Sequence, residues 1–130
     1  MGLLGRLFGR TQTPVRDTGD RHAGIVGRKA TLYTGTETLE VAGESHYQEV
    51  LWSIVGGWRS DRVRHDTVAV LIPDPDNQYD SDAIKVVVEG NLVGYLSSDD
   101  AAIYLPGLLR LMDRSTNRLV ALHGIVVGGG

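Results

Sequence analysis

The chain has no cysteine, so disulfides, thiolate metal sites and cysteine nucleophiles are all excluded. That composition suits a reducing cytoplasm. Aromatic residues make up only 6% of the chain, which makes any aromatic side chain in a polar turn conspicuous. No apolar stretch approaches the roughly 20 residues of a membrane-spanning helix. An excess of positive charge is missing too: 13 basic residues face 16 acidic ones, for a net charge of −3 and a pI of about 5.7. Broad electrostatic attraction to a duplex needs a basic field and is not expected here. A small site gripping the end of a strand remains compatible with the charge. The histidines His22, His46, His65 and His123 lack the spacing of a zinc-binding pair. There is no Walker glycine loop and no nucleophile elbow. A non-enzyme without a cofactor or metal is expected.

What is present fits one domain. The chain has 130 residues, 42% of them hydrophobic and 22% charged, enough to build a core. Charge is unevenly spread, with Arg6, Arg10, Arg16, Arg21, Arg28 and Lys29 gathered before residue 31 and facing only Asp17 and Asp20 there. Residues 1–26 read as a disordered basic leader, because "RTQTPVRDTGDRHAG" has few large apolar residues. Residues 27–127 read as the folded domain, and residues 128–130 as a flexible glycine tail.

Within the domain, "KATLYT" and "TLEVAG" are predicted strands around a turn at Gly35. "SHYQEVLWSIVGG" predicts a helix with Ser45 at its N-cap, Gln48 closing a capping box, and Gly56 and Gly57 ending it. Tyr47, Val50, Leu51 and Ile54 fall on one face of that helix. "WRSDRVRH" reads as a polar connection. "TVAVLI" and "AIKVVV" are strands, and Gly90-Asn91 signals a hairpin into "LVGYL". Both faces of these strands are largely apolar, which implies a small barrel or a sheet covered by helices. "SSDDAAIYLPGLLRLM" predicts a second helix, capped by Ser97 with Asp100 and kinked or broken at Pro106. Its apolar stripe is Ala101, Tyr104, Leu105, Leu108 and Met112. "RLVALHGIV" is a last strand.

The segment "PDPDNQYDSDAI" carries the most chemistry. Asp80 has two readings: a turn residue binding local backbone amides, or an acceptor for a ligand hydroxyl. Tyr79 is either a core plug or a platform on which a base could stack. Tyr95 follows Gly94, where a backbone or ligand can approach closely. Asp74, Asp76, Asp80 and Asp82 offer hard oxygens for calcium or magnesium, but the helix-loop-helix calcium pattern is not met. Arg59, Arg62 and Arg64 could clamp phosphates, although Asp61 and Asp66 dilute their field.

The run "PDPDNQYDSDAIKVVVEGNLVGYLSSDDAAIYLPGLL", preceded by "VAGESHYQEVL", resembles the HIRAN domain family over roughly residues 38–127. The family pattern is Asn-Pro-Tyr-Asp-x-x-Ala-Ile/Val, followed by Gly-x-x-Val-Gly-His/Tyr-Leu and a helix. The resemblance is to small stand-alone bacterial members. It implies a mainly β fold with two helices, a small OB-like or SH3-like β-barrel. It also implies nucleic-acid binding, with single-stranded DNA or a 3′ DNA end as partner and an association with DNA-repair or helicase-type proteins. The site residues it implies are Tyr79, Asp80 and Tyr95; the residues themselves add Asn77, Lys85, Arg62 and Arg64 as nucleic-acid-binding candidates. The alternative is a non-catalytic protein-interaction adaptor with no nucleic-acid site. Gln78 stands where the family has proline, Tyr95 where the DNA-end-binding branch has histidine, and Ser97 and Ser98 where that branch has lysines.

Overall fold

The computed structural model describes residues 3–8, 14–17, 30–33, 38–114 and 119–128. The elements, in chain order, are β1 (Leu3–Phe8), β2 (Pro14–Asp17), β3 (Ala30–Tyr33), β4 (Thr38–Ala42), a 3₁₀ turn (Glu44–Tyr47), α1 (Gln48–Ile54), β5 (Val63–Pro73), β6 (Ile84–Val88), β7 (Asn91–Leu96), α2 (Ser98–Arg114) and β8 (Leu119–Gly128).

The strands β4-β7-β6-β5-β8 are antiparallel neighbours and curl into a half-barrel. β1 pairs with both end strands, β4 and β8, and bridges the gap between them. β3 runs parallel to the first half of β8, from the Ala30–Leu119 pair to the Tyr33–Leu122 pair, and β2 lies against β3. The fold is mainly β with two helices, as expected.

The long valine runs have a specific reason. Ala69, Leu71, Ile84, Val86, Val88, Val120 and Leu122 point inward to the main core, which α1 and α2 complete with Leu51, Ala101 and Leu108. The alternate residues Val70, Val87, Leu119 and Ala121 point outward and form a second core with Ala30 and Leu32 of β3. Both faces of β5, β6 and β8 are therefore buried there, and neither face can carry a polar alternation. Each valine or leucine sealed this way contributes roughly 1.5–3 kcal/mol. Met112 of α2 packs against both cores.

Several local expectations need correction. Leu3–Phe8 and Pro14–Asp17 are strands and not part of a disordered leader; the rest of residues 1–26 lies outside the described residues. β3 and β4 do not pair across Gly35, because the backbone edges of β3 are taken by β2 and β8 and those of β4 by β1 and β7. Gly43, in the left-handed conformation at φ 78°, turns the chain out of β4, and the 3₁₀ turn begins directly after it. Ser45 therefore lies inside that turn, and neither the turn nor α1 has a side-chain cap. Val63–His65 open β5 and are not connection, since Val63 is buried in the main core. The hairpin turn is Glu89-Gly90, with φ of 49° and 82°, and Asn91 already pairs with Val88. Asn91 helps from the strand by donating its Nδ2 to the Glu89 carbonyl at 3.1 Å. Pro106 does not break α2. The carbonyl it leaves unpaired belongs to Ala102, and both residues are exposed, so water can take the place of the lost bond. Gly128 belongs to β8 and not to a tail.

Three expectations hold. The Asp100 N–H donates to Ser97 Oγ at 3.2 Å, capping α2. Gly56 and Gly57 end α1 with positive φ, and the Gly57 N–H donates to the Trp52 carbonyl at 2.7 Å. The α2 stripe faces the core, as do Val50, Leu51 and Ile54 of α1, whereas Tyr47 lies in the 3₁₀ turn before it.

Gly94 is where β7 meets β4 most closely. A register shift between Val86 and Val87 bulges β7 opposite β6. A Cβ on Gly94 would run into Val41 Cγ1 and lie 2.7 Å from the Ala42 carbonyl oxygen. Gly94→Ala should therefore lower stability by about 1–3 kcal/mol. Urea unfolding followed by circular dichroism measures this; an unchanged midpoint would mean that β4 yields without cost.

Candidate functional site

The loop from Asp74 to Ala83 joins β5 to β6 and is wired by its own side chains. Asn77 Oδ1 accepts from the N–H groups of Tyr79 at 2.9 Å and Asp80 at 3.1 Å. Asn77 Nδ2 donates to Asp74 Oδ2 at 3.2 Å. Asp80 Oδ1 accepts from the Asp82 N–H at 2.9 Å. Backbone bonds from Asp74 N to Ala83 O and from Ala83 N to Asp80 O close the loop at its base. The oxygen of the Asn77 amide is thus fully engaged in shaping the turn, and its nitrogen donates one of its two hydrogens there. Asp80 spends one carboxylate oxygen on the turn, while Oδ2 has no protein partner among the described residues.

This wiring holds the Tyr79 ring out in solvent at 89% exposure. Tyr79 is therefore no core plug. Beside it opens a pocket of about 490 Å³ lined by Asn77, Gln78, Tyr79, Asp80, Ala83, Tyr95, Leu96 and Ser98. Tyr95 reaches it from β7, opposite Lys85 on β6 and Ala42 on β4. Burial, then the neighbouring Tyr47 and Asp74, holds the Tyr95 phenol above the usual 10.0. It is thus a hydrogen-bond donor at neutral pH.

Four expected residues, Asn77, Tyr79, Asp80 and Tyr95, meet in this pocket. Lys85 stands at its margin, half exposed, with Nζ 4.0 Å from Asp74 Oδ1. Arg62 and Arg64 are not brought there. They precede or open β5, whereas the loop leaves its far end, and nine residue steps along the strand separate Arg64 from Pro73, about 30 Å at ~3.3 Å per residue. Ser98 and Leu96 line the pocket without having been expected to. The signal for Ser98 was its place at the start of a capped helix that follows β7 directly. Among the described residues, no three carboxylates or histidines converge as metal ligands would.

A curled β-barrel with an open, aromatic-flanked pocket defines a binding module. The HIRAN domain family model matches residues 35–126, and the chain belongs to that family. HIRAN is a binding domain generally associated with nucleic acid; HIRAN domains bind DNA and occur in helicase-type proteins. Among solved structures, the HIRAN domain of human HLTF is similar at 25% identity, covering 53% of this chain and 77% of that one, with a TM-score of 0.29. No curated protein matches the chain. Among the described residues, no helix is long and apolar enough to cross a membrane.

Two outcomes follow from the local geometry. Asn77→Ala removes the acceptor for two backbone amides, each bond worth about 0.5–1.5 kcal/mol. Hydrogen exchange should speed up at Tyr79 and Asp80, with little change in the core strands. Because the folded Tyr95 phenol titrates above its unfolded value, its contribution to stability is complete below the ordinary phenol range and is lost as pH rises through the raised value. Tyr95→Phe should flatten the alkaline fall in Tm; an identical fall in both proteins would place the titrating group elsewhere.

Proposed function

We propose that the chain binds single-stranded nucleic acid, with DNA as the leading substrate, and seats a 3′ end in the pocket of Tyr79, Asp80 and Tyr95. The observation that carries this reading is the pairing of a Tyr79 ring held 89% exposed with an Asp80 oxygen left unused by the turn. The ring offers a stacking face for a base. The carboxylate accepts from a sugar hydroxyl, and the Tyr95 phenol donates to an oxygen of the same nucleotide. A carboxylate in this position repels phosphate, so the pocket favours a hydroxyl terminus over a phosphorylated one. The low basic charge of the pocket suits an end and not a duplex. Binding here is non-catalytic.

A short DNA strand with a free 3′ hydroxyl should bind at least tenfold more tightly than its 3′-phosphorylated form, a difference of about 1.4 kcal/mol. Asp80→Asn should narrow that gap, since it removes the repulsion and keeps an acceptor. Fluorescence anisotropy with labelled strands reads both. Equal affinity for the two ends, in wild type and variant alike, would return Asp80 to a turn residue and favour the protein-interaction adaptor.

Tyr79→Ala should weaken strand binding by about 1–3 kcal/mol while leaving Tm unchanged, because its ring touches solvent and not the core. A matching loss of Tm would assign the ring a structural role.

A further inference from the structure

The segment joining α1 to β5 holds a second concentration of chemistry. Trp58 is 71% exposed. Its ring centroid lies 6.3 Å from that of Trp52 at an interplanar angle of 49°, and Trp52 is itself packed against the main core. The exposed indole is thus steadied from behind. Arg59, Arg62 and Arg64 follow it within seven residues, against Asp61 alone, in a chain whose net charge is −3. Arg62 has no carboxylate partner among the described residues. Arg59 lies 3.7 Å from Asp61 and Arg64 lies 3.5 Å from Asp66, both pairs well exposed. Such surface pairs contribute little and are readily exchanged for another anion. Arg62 and Arg64 flank the buried Val63 and, with Val127 and Gly128 of β8, line an open hollow of about 410 Å³. Four chain steps keep Trp58 within about 14 Å of Arg62.

We propose that this surface is a second contact for a single nucleic-acid strand, with Trp58 stacking on a base and Arg62 and Arg64 holding flanking phosphates. It rests on the reading above in that the strand end occupies the Tyr79 pocket. Exposed aromatics interleaved with basic groups are the means by which single strands are held without sequence preference. The pocket itself supplies little positive charge, so attraction for the phosphates of the strand body has to come from another part of the molecule. OB-type barrels take about 4–16 nucleotides, a length able to run from one end of β5 to the other. An acidic protein would satisfy the arginines but would make no use of the bare indole.

The test is anisotropy of the full chain with labelled oligothymidylates of increasing length, from a trinucleotide to a dodecamer, and with a dodecamer carrying a 3′ phosphate. Affinity should rise at least tenfold from the shortest to the longest strand, and the salt dependence should steepen by about 0.7 per phosphate contacted. The Arg62→Ala/Arg64→Ala double variant should lose that gain and keep wild-type affinity for the trinucleotide. Trp58→Ala should lose most of the gain as well, with an unchanged circular dichroism spectrum showing the fold intact. A trinucleotide bound as tightly as the dodecamer, or a length gain that survives the double variant, would overturn the second contact and leave the pocket standing. A blocked dodecamer that binds as well as the free one, yet still depends on the two arginines, would uphold the second contact and remove the end-recognising pocket. A polyglutamate peptide that displaces the dodecamer equally from wild type and from Trp58→Ala would assign the surface to an acidic protein and overturn the proposal.

Discussion

Burial of both faces of β5, β6 and β8 is the constraint on which the rest of the structure depends. Val86 and Val88 look into the barrel while Val87 looks out, and the outward residues join Ala30 and Leu32 of β3, the in-sheet neighbour of β8, in a second buried cluster against which Met112 of α2 packs. Left uncovered, that outward face would be an apolar patch prone to association. The same arrangement fixes the ladder register, since slipping one residue would exchange the two cores, which differ in size and shape.

That rigidity is what positions the pocket. Pro73 at the end of β5 and Ile84 at the start of β6 form a ladder pair, so the loop between them hangs from a fixed frame. Inside the loop, order comes from polar side chains and not from packing. Asn77 plays the part that an apolar residue would play in a core, using two accepted bonds and one donated bond. The result is an exposed ring whose backbone is nevertheless held. From the other side, the bulge of β7 and the absence of a side chain at Gly94 let β4 close in beside Tyr95. The acidity of the loop is largely internal wiring, and the chemistry open to a ligand is narrower than four aspartates would imply.

Most of the fold was legible because its signals are local and strong. β5 to β7 and both helices follow from apolar runs and from the punctuation of Gly56, Gly57, Gly90 and Ser97. What was not legible depended on distance along the chain. Nothing near "LLGRLF" or "KATLYT" says that the first spans β4 to β8 or that the second lies parallel to the last strand, because those partners are many residues away. The cap at Ser45 failed for a different reason: Gly43 adopted a left-handed turn first and left the serine inside a 3₁₀ segment. Within the site, Tyr79, Asp80 and Tyr95 were legible as a motif, yet the exposure of Tyr79 follows from bonds made by Asn77, and sequence spacing alone does not show which side of a turn a ring will take. Arg62 and Arg64 were grouped with the loop on charge, and the length of β5 is what separates them.

β1 hydrogen-bonds to β4 on one side and to β8 on the other. All six residues pair with β8, and Arg6, Leu7 and Phe8 among them pair with β4 as well. Lifting that one segment away would convert a closed ring into an open ribbon with two sticky margins facing each other across a strand-wide slot. Any extended peptide able to donate and accept on both sides would find a ready template there. The barrel's protection from unwanted strand pairing is therefore concentrated in one short stretch of chain.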